Sequence, residues 1–359
     1  MITATAPTAL GRSQHVRLSP HQGQATAGER PPDIRIAGRR FSPSVVFDTY
    51  WRFAAARQEI YEARVAGTPG PWTKDPILSR HRFTNCYRAA DRVSQYLITH
   101  VSYSGSQDVE EVFFRTLLFK IFNKISTWEL LTTAFGEPSW KSYTFDRYNA
   151  VLSEAFAGKQ RLYSAAYVVP PPSLGEARKH GNHLRLLEML MRTSAPHRVR
   201  GAGSLGSAFS VLRGYPAIGD FLAYQYLIDL NYSAAYNYSE MDFVVPGPGA
   251  RDGIRKCFGT AAVGMEADII RYMADHQEEH FQRLGLSFRG LRGRPLQLID
   301  CQNLFCEVDK YARVAHPEIS GLSGRTRIKQ RFQAVAEKTP TWFPPKWGIN
   351  AAASGPNAR

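Results

Sequence analysis

Apolar residues return at every third or fourth position through most of the chain, the period of helices that lay one face on a core. Val46, Tyr50, Phe53 and Ala54 form one such stripe, and Val109, Phe113, Leu117 and Ile121 another. The strict alternation of a half-buried strand is scarce. Gly and Pro gather at 67–71, 136–139, 170–172, 201–206, 246–249 and 285–295, and the stretches between have helix length. The pattern predicts an almost all-helical chain whose loops hold the Gly and Pro, with no internal repeat.

Residues 1–42 lack this period, and Glu29 and Asp33 are the only acidic residues set against a series of Arg there. That composition predicts a flexible basic N-terminal tail. The helical core is expected over 43–348, with a hairpin at about 208–230, and a disordered C-terminal tail over 349–359. The stretch from Arg325 to Lys346 is basic and then aromatic, ending Trp342-Phe343-Pro344-Pro345-Lys346-Trp347. It suits a strap that packs aromatics on the core, or DNA-backbone contacts from Arg325, Arg327, Lys329 and Arg331.

Of 359 residues, 45 are Lys or Arg and 31 Asp or Glu, a formal charge of +14, while 43% are hydrophobic. A disordered or fibrous chain is excluded, and an anionic partner is expected, nucleic acid ahead of membrane. Even 112–125 is interrupted by Arg115, Lys120, Asn123 and Lys124, so no membrane span is expected. Cys86, Cys257, Cys301 and Cys306 form no disulfide framework, and no apolar run in the first positions suggests a leader. The expectation is a soluble, monomeric, cytoplasmic protein.

Several chemistries lack their signatures. No G-x-x-x-x-G-K-[ST] loop is present, no G-x-G-x-x-G follows a strand, and the cysteine spacing fits neither zinc nor an iron–sulfur cluster. His276 and His280, at i and i+4, share a face if one helix carries both, but without a Glu directly after the first His a solvated face is the expected reading. No metal and no cofactor are expected.

The segment Val211-Leu212-Arg213-Gly214-Tyr215-Pro216-Ala217-Ile218-Gly219-Asp220-Phe221-Leu222-Ala223 reads as helix, tight turn, helix. Backbone N–H groups at the start of the second helix bind a phosphate without reading sequence. Arg213, Gly214, Tyr215, Ile218 and Gly219 are therefore candidate DNA contacts. The segment resembles the helix-hairpin-helix of DNA glycosylases, with its Leu and Pro-Gly-Ile/Val-Gly pattern, although Ala217 stands where that family usually has Gly. The resemblance implies a catalytic aspartate about twenty residues past the second glycine, and Asp242 follows Gly219 by 23. A carboxylate beside C1′ stabilises the oxocarbenium-like state of N-glycosidic cleavage. The ordinary role of an Asp just before an apolar run, as Asp242 is, is a helix cap or a loop residue, and Asp229 is the lesser catalytic candidate. Lyase members carry a lysine two residues after the second glycine; Phe221 here implies a monofunctional enzyme.

Asp300, Asn303, Glu307 and Lys310 fall at helical spacings and present an acceptor, an amide, a carboxylate and an ammonium on one face. They suit the edge of an extruded base, or else a salt-bridged surface face. Asn85, Arg88 and Asp91 likewise fit one helix face, with Phe83 and Tyr87 interleaved, and Trp72 is either a stacking or a core residue. Residues 71–78, 82–92, 245–250 and 299–311, the last reading Ile299-Asp300-Cys301-Gln302-Asn303-Leu304-Phe305-Cys306-Glu307-Val308-Asp309-Lys310-Tyr311, are similar to the α-glutamyl/putrescinyl thymine pyrophosphorylase family. That family also supplies the helical domain of hydroxymethyluracil DNA kinases, and some relatives are anti-phage DNA glycosylases.

The resemblance implies an all-α, two-lobed, helix-hairpin-helix glycosylase-like fold and a substrate of double-stranded DNA carrying modified pyrimidines. It implies an enzyme that flips out a hydroxymethylated or glycosylated pyrimidine of phage DNA and hydrolyses its N-glycosidic bond through Asp242. Trp72, Asn85, Arg88, Asp91, Asp300, Asn303, Glu307 and Lys310 would form the base pocket. The alternative is a transferase that replaces pyrophosphate on an activated hydroxymethyl pyrimidine with an amine, with Arg82, Arg88 and Arg92 available to the pyrophosphate.

Overall fold

The computed structural model describes residues 30–166, 169–333 and 341–350. The tails expected at either end fall mostly outside the described residues. Their inner edges do not: β1 (Ile34–Ile36) and β2 (Arg39–Phe41) pair antiparallel and bury Ile34, Ile36 and Phe41. Residues 34–41 of the expected tail therefore form a strand pair, because even this Arg-rich segment carries apolar side chains at alternate positions of a short strand. At the other end Asn350 accepts from the Phe343 N–H at 2.9 Å, so structure continues just past 348.

Everything else regular among the described residues is helical, and the fold is all-α. Helix α1 (Val45–Val65) starts at Ser44, whose hydroxyl accepts from Val46 N at 3.2 Å, and it buries the whole Val46, Tyr50, Phe53, Ala54 stripe. It packs on α14 (Leu298–Ala315), which also lies along α11 (Pro248–Phe258). Backbones meet at that second crossing: a Cβ on Gly253 would stand 2.1 Å from the Phe305 carbonyl oxygen, so only glycine fits there. Helices α2 (Pro76–Arg80) and α12 (Glu266–Asp275) also contact α14.

Helix α4 (Val109–Phe122) is buried on every side, with Glu110 its one residue outside the interior. Around it pack α5 (Ile125–Phe135), α7 (Lys179–Arg192), α8 (Ala195–Arg200) and α10 (Asp220–Asn231). The charges that interrupt its apolar run have internal partners, as buried polar groups must. Arg115 donates to the carbonyls of Val101 (3.0 Å), Ser104 and Ser106 (2.7 Å each). Among the described residues no helix is long and apolar enough to cross a membrane.

His276 and His280 do not share one helix. The chain breaks at His276 between α12 and α13 (Gln277–Arg283). His276 is exposed against Glu279, but His280 is buried and stacked on Trp51, and burial pushes its pKa down to about 4. The expected solvated face is thus half a core contact.

Candidate nucleic-acid interface

The two polar clusters read from the sequence do converge, but residues 82–91 are not a helix. They form an extended loop ending in a short 3-10 turn at Arg88–Ala90, held against the polar face of α14. Glu307 accepts from Thr84 N (2.9 Å) and pairs with Lys310 (2.7 Å), whose ammonium also donates to the Arg82 carbonyl (3.2 Å). Asn303 donates to Asn85 O (3.0 Å), and Asp91 accepts from Asn85 N (2.8 Å). Asp300 caps α14 by accepting from Gln297 N (3.1 Å) while its other oxygen accepts from Arg88 N (3.0 Å). Burial pushes the Asp300 carboxyl up to about 7, and desolvation does the same to Asp91. These hydrogen bonds give the loop its conformation.

Arg88 turns inward. Its guanidinium grips Asp229 with both terminal nitrogens (2.7 and 2.9 Å) and donates to Gln225 (3.1 Å), and Lys120 joins Asp229 at 3.2 Å. All three charges are buried. Burial opposes ionisation of Asp229, but the Arg88 and Lys120 charges outweigh it and hold the carboxyl below the usual range. Trp72 sits apart, donating to Thr68 O (2.7 Å) and lying under Arg64. The ion cluster of Arg88, Lys120 and Asp229 ties α4 and α10 to the loop; no short-range pattern in the sequence pairs residues so far apart.

The segment at 205–231 folds as α9 (Leu205–Arg213), a turn at 214–219, and α10. Ile218 and Tyr215 point into the core, the Tyr215 hydroxyl bonded to Thr193 at 2.6 Å, while Arg213 and Asp220 pair on the surface. Ala217 takes the left-handed conformation (φ 59°), the one that glycine favours. Gly219 is exposed with nothing within 4 Å of where a Cβ would be, so its backbone is open to an approaching group. Asp242 is exposed too. One of its oxygens accepts from Leu205 N (2.9 Å) at the start of α9, and Arg271 secures its carbonyl (3.1 Å).

Beside the turn lies a cleft of about 410 Å³. Its walls are Phe221 from α10, Val245 and Pro246 from the loop that follows Asp242, Pro248 at the start of α11, and Leu322, with Asp220, Arg251, Asp252, Ser323 and Arg325 also lining it. Asp252 holds the far wall by accepting from Ser323 N (2.8 Å). No lysine lines it. From Arg325 the chain runs as a ribbon to Arg331, fixed by Arg313 to Arg327 O (3.2 Å) and by backbone pairing of Gln330 and Phe332 with Arg82 and Arg80. Among the described residues Arg251, Arg325, Arg327, Lys329 and Arg331 have no carboxylate partner. The sequence pattern had offered the ribbon cations, but the cleft assembles from separated segments.

Residues 44–321 match the family described as 5-hmdU DNA kinase, helical domain, and the chain belongs to that family. The chain is 24% identical over 322 residues to a 5-hmdU DNA kinase of Bacillus phage SP10. The alignment takes in 84% of this chain but only 50% of the phage protein, so the chain spans half the length of that relative. No solved structure matches it.

Proposed function

We propose that this chain binds duplex DNA carrying a modified pyrimidine, extrudes that base, and hydrolyses its N-glycosidic bond. The observation that carries this reading is the juxtaposition of the open Gly219 turn with a cleft rimmed by the unpaired Arg251 and Arg325. A phosphate held at the turn brings the neighbouring nucleotide to the mouth of the cleft, where Phe221, Pro246 and Leu322 offer apolar surface to a base.

Asp242 is the proposed catalytic carboxylate. The Leu205 N–H fixes one oxygen, and the other has no partner among the described residues. In the reaction water adds to C1′, the bond from C1′ to the base nitrogen breaks, and the base leaves with a proton. An exposed carboxylate near C1′ favours the positive charge that develops on the sugar. The lack of a lysine in the cleft, with Phe221 where lyases have theirs, supports base release without strand cleavage. A role in restricting phage with such DNA goes with this reading.

A second reading, group transfer at the base substituent, draws on the name of the phage relative and on Arg251 and Arg325, which suit a phosphate or pyrophosphate. Arg88 does not serve that site, because Asp229 occupies its guanidinium. Product analysis by mass spectrometry on duplexes with hydroxymethylated or glucosylated pyrimidines separates the two. Free base, an abasic site and an intact strand are expected, and Asp242→Asn should lower the rate by roughly 10²-fold or more while the protein still binds DNA. Near-wild-type base release by a folded Asp242→Asn protein would remove Asp242 from the mechanism. A heavier base with released pyrophosphate would establish the transferase.

A further inference from the structure

A second cavity, of about 240 Å³, opens where α6 (Phe145–Ala157) ends and α7 begins. It is lined by Phe156, Leu162, Tyr163 and three cations, Arg161, Arg178 and Lys179, and among the described residues no carboxylate lines it. None of the three cations makes an ion pair among the described residues. Arg178 lies over the Phe156 ring (4.9 Å) and Lys179 over the Tyr163 ring (4.3 Å), both cation–π contacts. Glu176, just before α7, is paired with Arg185 at 2.9 Å.

Phe156 is one of the few large apolar side chains left exposed, at 46%. Its ring meets the Arg178 guanidinium and, at 5.9 Å between centroids, the His180 imidazole. Its neighbours make sense of it: an exposed ring next to cations lacking anionic partners combines the two elements of unpaired-nucleotide recognition, a face for the base and charge for the phosphate. Leu162 is buried, and half-buried Tyr163 is held by a hydrogen bond between its hydroxyl and His183 at 2.8 Å.

We infer that this pocket binds an unpaired nucleotide, the base stacked on Phe156 and the phosphate held by Arg161, Arg178 and Lys179. The nucleotide can belong to single-stranded DNA or be free in solution; the recognition chemistry is the same. The site is independent of the cleft and of the reaction proposed there.

The test uses the full chain carrying Arg325→Gln, Arg327→Gln and Lys329→Gln, so that strand binding on the ribbon does not mask the pocket. A labelled short oligothymidylate is titrated by fluorescence anisotropy and thymidine monophosphate by calorimetry. Binding should weaken at least tenfold when Arg161→Gln, Arg178→Gln and Lys179→Gln are added, and by roughly five- to a hundredfold with Phe156→Ala alone. Loss for the oligonucleotide only assigns the pocket to a DNA strand, and loss for both probes shows that a free nucleotide suffices. If neither probe binds, or if both sets of substitutions leave affinity unchanged, the inference is overturned. Phe156→Ala keeps the test decisive should the triple charge variant fold poorly.

Discussion

Asp300 carries two backbone N–H groups, those of Gln297 and Arg88, and by doing so joins the start of α14 to the loop at 82–91. Deprived of water, its carboxyl is pushed up to about 7, although both hydrogen bonds pull the other way. Between the unfolded value near 3.8 and about 7 the folded chain holds more of this proton than the unfolded chain. The stability it contributes is therefore full below that window and is lost as pH rises through it. Asp300→Asn removes the titration and keeps one of the two acceptor oxygens; losing the other lowers the variant's stability by an amount that does not change with pH. Denaturant melts should find the variant gaining on the wild type from about pH 4 to about pH 7, by at most ~1.4 kcal/mol per pH unit, and no further above that. A difference independent of pH would mean that Asp300 is already ionised in the fold. Asp91 shifts in the same direction in both proteins and so cancels from the comparison.

The turn between α9 and α10 holds Ala217 at φ 59°, a conformation that costs a residue with a Cβ roughly 1–2 kcal/mol. Ala217→Gly relieves that cost but frees the unfolded chain, so a net gain of about 0.5–1 kcal/mol is expected in a denaturant melt. Destabilisation would show that the Ala217 methyl group earns its place by packing. This turn was legible in the sequence because its signals are local: Pro216 and Gly219 punctuate two apolar runs. The stripes of α1 and α4 were legible for the same reason. The loop at 82–91 was not, because Asn85, Arg88 and Asp91 sit at helical spacing by coincidence while their hydrogen bonds go to α1, α10 and α14. Arg88 in particular looks like a surface cation until Asp229, far along the chain, is placed beside it. The cleft was invisible for a related reason, since Phe221, Pro246, Arg251 and Arg325 belong to different segments and share no period.

The excess of positive charge, +14 on the whole chain, matters for binding only where cations lack internal partners. The interior consumes several of them, among them Arg88, Lys120 and Lys256, each held by a buried aspartate. Arg325, Arg327, Lys329 and Arg331 remain exposed and unpaired on a ribbon that hydrogen bonds to Arg80 and Arg82 hold in place. A fixed row of cations pays little ordering entropy when it meets a phosphate backbone, and each phosphate it neutralises releases counterions. Affinity for duplex DNA should therefore fall linearly with salt on logarithmic axes, and Arg325→Gln, Arg327→Gln and Lys329→Gln together should flatten that slope by about 2.7, at ~0.9 per lost contact. The loss should be equal for modified and unmodified duplexes, because phosphate contacts position DNA without reading its bases. In the proposed function discrimination between the two belongs to the cleft, so Leu322→Asp should then reduce the preference for modified DNA while leaving the salt slope alone. A triple variant with the wild-type slope would place the duplex on another face of the molecule, and the cleft would then lose its claim to the extruded base.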